Sequence, residues 1–188
     1  MRIAFWDIET WDLNAPFGPL VCASVLLTEP GFEDRMITLR QDEYVRQGIA
    51  EDMVDDRQLC IDLRDLLEEQ NMTVGYFSKG FDIPHLRSRL ALHGERALAP
   101  HFHFDPIWAF KGWRGLKFGS ASMKNVAAHL GLEQKPAVSS EVWMSAKAGR
   151  KAAMDEVCER CEADVRITRE ITQYVWDHKL LKNIQMYP

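Results

Sequence analysis

The chain has 188 residues, of which 46% are hydrophobic and 27% are charged, and its formal net charge is −5. This size and composition predict one globular domain, residues 1–188, and exclude a disordered tail or a fibrous repeat. No apolar run reaches the roughly 18 residues that a membrane span needs, and the first ten residues lack the apolar stretch of a signal peptide. We therefore expect a soluble cytoplasmic protein with no membrane partner. The four Cys are too few for a disulfide scaffold, which is consistent with a reducing compartment.

The charge is divided unevenly along the chain. The segment from Lys111 to Lys151 contains eight Lys or Arg and two acids, a net charge of +6, which leaves −11 for the rest of the chain. An acidic body with one basic segment suits an enzyme that holds cations in one place and an anionic substrate beside it. A solvated loop with a chance excess of charge is the alternative, and this pattern alone favours neither.

The predicted elements begin with three β-rich runs separated by turn-forming residues, which indicate an antiparallel meander. Helices and strands then alternate, so we predict an α/β fold with a mixed sheet covered by helices. The predicted strands are 2–9, 21–29, 34–40, 72–78 and 102–106, and the predicted helices are 55–70, 82 to a stop at Gly94, 122–130 and 153–179.

Three acids occupy positions where apolar residues or caps are expected. Asp7 and Glu9 follow the apolar part of the first strand and, with a period of two, point to the same side of the sheet. Two like charges at the edge of a core repel each other unless a cation lies between them, although solvated acids at a strand end are the simpler alternative. Asp82 follows Phe81 at a helix start, where Asp is also a common cap.

The last predicted helix has an acid, Asp164, in the middle of an apolar stripe. A carboxylate that faces a core needs a partner, and either an ion pair with Arg160 one turn earlier or a divalent metal would provide one. The stripe consists of Val157, Cys161, Asp164, Thr168, Ile171 and Val175.

Phosphodiester cleavage is one reaction that would bring such acids together. Two hard cations about 4 Å apart can activate a water and stabilise the leaving oxygen of an in-line displacement. Carboxylates are preferred ligands of Mg²⁺ and Mn²⁺.

Three segments of the chain resemble the three exonuclease motifs of the DEDD superfamily, the DnaQ-like 3′-to-5′ exonucleases, and occur in the same order. They are FWDIET at Phe5–Thr10, GYFSKGFDIPHL at Gly75–Leu86 and ERCEADV at Glu159–Val165, and SMKNVAAHLGL at Ser122–Leu132 is similar to a segment that many members carry between the last two. The resemblance implies a ribonuclease-H-like fold and a metal-dependent enzyme that removes nucleotides from 3′ ends. It favours single-stranded DNA as the substrate, with RNA as the rival.

The resemblance also implies the site. Asp7, Glu9, Asp82 and Asp164 would bind two Mg²⁺ or Mn²⁺ ions. Asp7 and Asp164 would hold the metal that activates the attacking water, Asp7 would bridge to the second metal, and Glu9 would position metal and water.

Residues beside the first two motifs would contact the 3′-terminal nucleotide. By resemblance these are Thr10, Trp11 and Leu13 after the first motif and Phe81 before Asp82. Trp11 suits stacking on a base, with ordinary packing as the alternative.

The third motif departs from the family pattern. Family members have Tyr four residues or His five residues before the last Asp, and here these positions are Arg160 and Glu159. Arg cannot act as a general base, but it can bind the scissile phosphate, and Glu159 can order a water. We therefore expect catalytic roles for both and an activity that is slower or prefers Mn²⁺. The second motif also has Phe77 where Asn is common.

The basic segment supplies a further hypothesis. Lys111, Arg114 and Lys117 are interleaved with aromatic residues in a Gly-containing loop, which is typical of a single-strand channel but also of an ordinary surface.

A second functional hypothesis is a degenerate member that binds nucleic acid or a protein without cutting. Arg160 motivates it, because a fixed cation beside Asp164 can replace a metal.

Overall fold

Six strands form one mixed sheet, and helices cover both of its faces. The computed structural model describes residues 1–111, 115–180 and 185–187. The strands are β1 (Ile3–Thr10), β2 (Leu20–Thr28), β3 (Arg35–Arg40), β4 (Met72–Val74), β5 (His101–Phe104) and β6 (Gln185–Tyr187). The helices are α1 (Gln41–Arg46), α2 (Arg57–Glu68), α3 (Asp82–Leu92), α4 (Met123–Leu130), α5 (Ser140–Lys147) and α6 (Lys151–Asp177), with a 3₁₀ turn at Pro106–Ala109.

The sheet has the order β3-β2-β1-β4-β5-β6. The first three strands pair antiparallel, β4 joins β1 in parallel, β5 joins β4 in parallel, and β6 closes the row antiparallel. The predicted meander and the mixed α/β sheet are therefore confirmed. Sequence periodicity missed α1, β6 and the 3₁₀ turn, because each is too short to show a repeating apolar pattern. It missed α5 because the apolar residues of that helix are consecutive, at Val142, Trp143 and Met144.

The two sides of β1 face different helical layers. Ala4, Trp6 and Ile8 point toward α2 and α3, where they pack in one buried cluster with residues such as Leu63 and Leu86. The alternate residues point to the opposite side, where Phe5 packs with Val165 and Ile171 of α6. Because side chains of a strand alternate with a period of two, Asp7 and Glu9 also lie on the α6 side.

Helix α6 lies across β1 and β2 and is anchored by its apolar stripe. Every residue of that predicted stripe is buried, including Asp164, whose exposure is 4%. Among the described residues, no helix is long and apolar enough to cross a membrane.

The loop from residue 11 to 19, between β1 and β2, is held by hydrogen bonds from two side chains of α3. Arg89 donates to the carbonyl oxygen of Ala15 (2.9 Å), and His85 Nε2 donates to that of Gly18 (2.7 Å). Arg89 is itself held by Asp56, which is fully buried and also accepts the backbone N–H of Leu20 at 2.7 Å. One buried ion pair therefore fixes the path of the chain directly after the first motif.

We predict that Arg89→Met destabilises the protein by about 3 to 5 kcal/mol, because it leaves the buried Asp56 carboxylate without its main counter-charge. The matched control is Arg57→Met, which removes a half-exposed arginine paired with Glu95 and should cost less than about 1 kcal/mol. Urea unfolding followed by circular dichroism measures both. Equal losses for the two variants would contradict the prediction.

Candidate functional site

Three of the predicted metal-binding acids meet at one point. Asp7 and Glu9 of β1 and Asp164 of α6 each offer a carboxylate oxygen, and these oxygens all lie within 4.8 Å of one another. The strand brings its two acids to the α6 side by alternation, and the apolar stripe of α6 turns Asp164 toward them. The cluster is thus produced by the same packing that forms the core.

Asp82 approaches the cluster from the other side of β1. Strand β4 pairs with β1 only as far as Phe5, and beyond that point the backbone N–H of Ile8 donates to Asp82 Oδ1 at 3.3 Å. Asp82, the first residue of α3, therefore lies beside β1 at a point where β4 no longer pairs with it. Its charge contributes to raising the pKa of Asp7, which places it within electrostatic reach of the cluster.

The four acids are strongly perturbed. Burial raises the pKa of Asp7 well above its ordinary value, and the neighbouring acids raise it further. Burial also raises the pKa values of Glu9 and Asp164, although nearby cations oppose the shift in both. For Asp82, burial raises the pKa to about 7. Crowded, desolvated carboxylates of this kind gain stability from a cation among them.

The donor set fits a hard divalent cation. Asp164 Oδ1 is buried and has no hydrogen-bond partner among the described residues. A buried polar oxygen without a partner costs about 1 to 3 kcal/mol, which a coordinated cation would offset. Because all the available ligand atoms are carboxylate oxygens, Asp7, Glu9 and Asp164 are suited to hold Mg²⁺ or Mn²⁺.

Two side-chain cations contact the cluster directly. Lys135 Nζ lies 2.6 Å from Asp164 Oδ2, and Arg160 Nε lies 2.9 Å from Glu9 Oε1. The alternative of an Arg160–Asp164 pair is therefore corrected, because Arg160 hydrogen-bonds to Glu9 of β1 instead. The charge of Arg160 only opposes the rise in the pKa of Asp164 that burial causes. Sequence reasoning missed Lys135, since its loop has no periodicity that would show where it leads.

Glu159 does not join the cluster. It is exposed and lines a separate pocket with Glu133, Arg166 and Glu170. With about 100° of rotation per residue, Glu159 lies about 140° around α6 from Asp164, whereas Arg160 and Cys161 lie within about 60° of it. Cys161 does face the cluster, with its thiol 3.6 Å from Asp7 Oδ2.

A groove beside the start of α3 unites two of the residues predicted to bind substrate. Leu13 is 78% exposed on the loop after β1, and Phe81 directly precedes Asp82. The groove has a volume of about 580 Å³. Its lining is largely apolar: Leu13, Asn14, Ala15, Pro16, Gly80, Phe81, Pro84, His85, Ser88, Ala91 and Leu92.

The other two residues after the first motif lie differently. Thr10 donates its hydroxyl to the carbonyl oxygen of Asp12 at 2.9 Å. Trp11 is half-buried against the apolar residues between α5 and α6, and Lys147 Nζ lies 5.6 Å from the centroid of its ring. Their contacts with a nucleotide remain predictions.

The predicted basic channel is described in part. Lys111 and Lys117 are exposed, and Arg114 lies outside the described residues. Cys158 and Cys161 are buried in the packing between α6 and β2.

A family model of the RNase_H superfamily matches residues 4–176. The chain belongs to the RNase_H superfamily. A comparison with curated protein sequences gave no match.

Solved structures show the same RNase_H-superfamily fold. The family B DNA polymerase from the archaeon Pyrobaculum calidifontis is similar with a TM-score of 0.70 and 18% identity, over 96% of this chain and 25% of the polymerase. E. coli Exonuclease I in complex with a dT13 oligonucleotide is similar with a TM-score of 0.55 and 14% identity, over 93% of this chain and 40% of the exonuclease. The chain thus spans less than half the length of either protein. The match to the family model confirms the predicted ribonuclease-H-like fold.

We predict that Asp82→Asn stabilises the metal-free protein, and does so more strongly as the pH rises. Because the pKa of Asp82 is raised from 3.8 to about 7, its contribution to stability is complete below about pH 4 and is lost as the pH rises through 7. Asn keeps an oxygen for the N–H of Ile8 but does not titrate. The stability of the variant relative to wild type should rise by on the order of 2 kcal/mol between pH 4 and pH 8.

Urea unfolding in EDTA at several pH values measures this difference. The control is Asp177→Asn, an exposed acid on α6, whose difference from wild type should change little over the same range. A difference for Asp82→Asn that does not vary with pH would rule out a buried, repelled carboxylate.

Proposed function

We propose that the protein is a metal-dependent 3′-to-5′ exonuclease that hydrolyses single-stranded nucleic acid, with DNA favoured over RNA. The observation that carries the proposal is the meeting of Asp7, Glu9 and Asp164, with ligand oxygens within 4.8 Å of one another, on an RNase_H-superfamily fold. Two observations support it: Asp82 lies against β1, and a groove lined by Leu13 reaches Phe81, the residue directly before Asp82.

The acids would hold two Mg²⁺ or Mn²⁺ ions. Asp7, Glu9 and Asp164 bring their ligand oxygens together, and Asp82, the fourth proposed ligand, lies beside β1 within electrostatic reach of Asp7. Bound divalent cations would lower the pKa of a water molecule and stabilise negative charge on the phosphate. In the proposed reaction, the attacking water gives up a proton to solvent as its oxygen bonds to phosphorus. The bond from phosphorus to the 3′ oxygen breaks, the 3′ oxygen takes up a proton from solvent, and a 5′-mononucleotide leaves.

Arg160 occupies the position where Tyr is common in related motifs, and Lys135 reaches the same acid cluster from a loop. Arg160 and Lys135 can only donate hydrogen bonds, so neither can accept a proton as a charged group. In the proposed reaction they bind oxygens of the scissile phosphate and offset its developing charge. Each is one quarter exposed, so each can exchange its acid partner for a phosphate at the surface of the site.

The strand end would lie in the groove. Its apolar lining suits the face of a terminal base, and the exposed side chain of Leu13 and the ring of Phe81 are the two predicted contacts. The comparison with Exonuclease I, which was solved with a dT13 oligonucleotide, supports single-stranded DNA as the first substrate to test.

We predict that Asp7→Asn and Asp164→Asn each lower the rate of cleavage by about 100-fold or more, because each removes a ligand of the proposed metal site. The measurement is a time course on 5′-labelled single-stranded DNA and RNA of one sequence, in Mg²⁺, in Mn²⁺ and in EDTA. Wild type should shorten the strand from its 3′ end in at least one metal and leave it intact in EDTA.

The matched control is Asp177→Asn on the same helix as Asp164, which should cleave like wild type. Rates near wild type in both site variants would overturn the metal assignment, and products that shorten from the 5′ end would overturn the polarity.

A second candidate is a binding module that does not cut. It is favoured by the two ion pairs, Lys135 with Asp164 and Arg160 with Glu9, since both place a protein cation on an acid that would otherwise bind metal. Calorimetric titration with Mn²⁺ separates the candidates, because a module that does not cut has no need to bind the ion.

We predict that Arg160→Gln binds Mn²⁺ more tightly than wild type, since Glu9 loses its competing partner, yet cleaves about tenfold more slowly, since a charge-assisted contact to the phosphate is lost. Calorimetry and the strand-shortening assay measure the two effects. A variant that gains cleavage from an inactive wild type would instead favour the second candidate.

A further inference from the structure

Phe77 adopts a backbone conformation that few large residues take. Its φ angle is +62°, and the left-handed region costs a non-glycine residue about 1 kcal/mol or more. The conformation is held by hydrogen bonds: the N–H of Phe77 donates to Asp105 Oδ1 at 2.9 Å, and its carbonyl oxygen accepts from Gly80 (2.8 Å) and Phe81 (3.1 Å). The ring is nevertheless 41% exposed, so burial in the core does not explain the strain.

The ring of Phe77 packs closely against Gly80. A Cβ atom at Gly80 would lie 2.5 Å from ring atoms of Phe77, so only glycine lets the ring lie against the backbone there. The ring therefore lies against the backbone of Gly80, with one side toward solvent.

A second aromatic ring and a cation complete the feature. Trp108, in the 3₁₀ turn, is 48% exposed. Lys111 Nζ lies 4.8 Å from the ring centroid of Phe77 and 5.5 Å from that of Trp108. We call these three residues the aromatic platform.

One buried acid organises both loops of the platform. Asp105 is 3% exposed, and its Oδ1 accepts the N–H of Phe77 and, at 3.3 Å, that of Ile107 beside Trp108. The loop that carries Phe77 and the turn that carries Trp108 are thus fixed relative to each other.

The platform adjoins the groove that is lined by Leu13 and Phe81. Gly80, which supports the ring of Phe77, also lines that groove together with Leu13 and Phe81. A further cavity of about 390 Å³ lies on the other side, lined in part by Phe77, Lys111 and Met123. A strand whose 3′ end enters the groove therefore has a path over the platform.

We infer that the aromatic platform stacks an unpaired base of the substrate strand, upstream of the nucleotide held in the groove. The inference rests on the proposed function and names a binding site for it. Every base presents an aromatic face, so rings of this kind bind single strands with little dependence on sequence. Lys111, on its flexible stem, turns from the rings to a backbone phosphate when the base arrives, which is why a nucleic acid fits this surface better than an uncharged ligand.

The test measures binding of a 5′-fluorescein-labelled dT12 oligonucleotide in EDTA, by anisotropy, together with a series in which one base at a time from the 3′ end is replaced by an abasic residue. For wild type, one internal position should weaken binding about tenfold when its base is absent. Phe77→Asn removes the ring but tolerates the left-handed backbone. It should bind intact dT12 about tenfold more weakly and show no further loss at that abasic position.

Three variants complete the design. Phe77→Tyr keeps an aromatic face and should restore both the affinity and the abasic signature, and Trp108→Ala should weaken binding in the same way as Phe77→Asn. Phe32→Ala removes an exposed ring from the β2–β3 turn, at the end of the sheet away from the acids, and should bind like wild type. Urea unfolding confirms that each variant is folded.

The outcomes separate this inference from the proposed function. The same abasic profile in wild type and Phe77→Asn overturns the platform, while strand shortening by wild type in Mg²⁺ or Mn²⁺ still supports the exonuclease. A platform signature without strand shortening supports the platform and overturns the exonuclease. No binding of DNA or RNA by wild type overturns both.

Discussion

The alternation of side chains along β1 is the constraint on which the site depends. Ala4, Trp6 and Ile8 bury one face against α2 and α3, and this burial forces Asp7 and Glu9 to the other face, where α6 lies. A slip of one residue in the pairing of β1 would exchange the two faces and place the acids in the α2–α3 core. Strand β2 prevents such a slip, because it pairs along the whole length of β1 up to an irregularity between Glu9 and Thr10.

The electrostatic character of the site follows from this arrangement. Packing desolvates the acids and brings them together, which raises the pKa values of Asp7, Glu9, Asp82 and Asp164. Lys135 and Arg160 offset part of the repulsion, while Asp164 Oδ1 keeps no partner among the described residues. The protein therefore folds around a concentration of negative charge that its own cations balance only in part, and this residual charge supports the proposed divalent metals.

Much of this arrangement could be predicted from the sequence, because the apolar periodicity of β1 and α6 predicts which side of each element a residue occupies. Asp7, Glu9 and Asp164 interrupt apolar periodicity, and periodicity states which side of a strand or helix a residue occupies. The partners of these acids could not be predicted in the same way. Lys135 reaches Asp164 from a loop, and Arg160 prefers Glu9 on a strand to the acid one turn away on its own helix. Loop paths and distances between elements depend on tertiary packing, so Phe77 and Trp108 also gave no signal of their shared position beside Lys111.

The origin of the clustered acids has a consequence for how the chain folds. Asp7 lies on the first strand and Asp164 on the last long helix, so the complete acid cluster forms only after nearly the whole chain has been made and α6 has docked on the sheet. Without α6 docked on the sheet, Asp7 and Glu9 have no Asp164 beside them, and the common centre is absent. A divalent cation that binds this centre stabilises only the native state, and its affinity therefore reports the completion of folding rather than the presence of any one element.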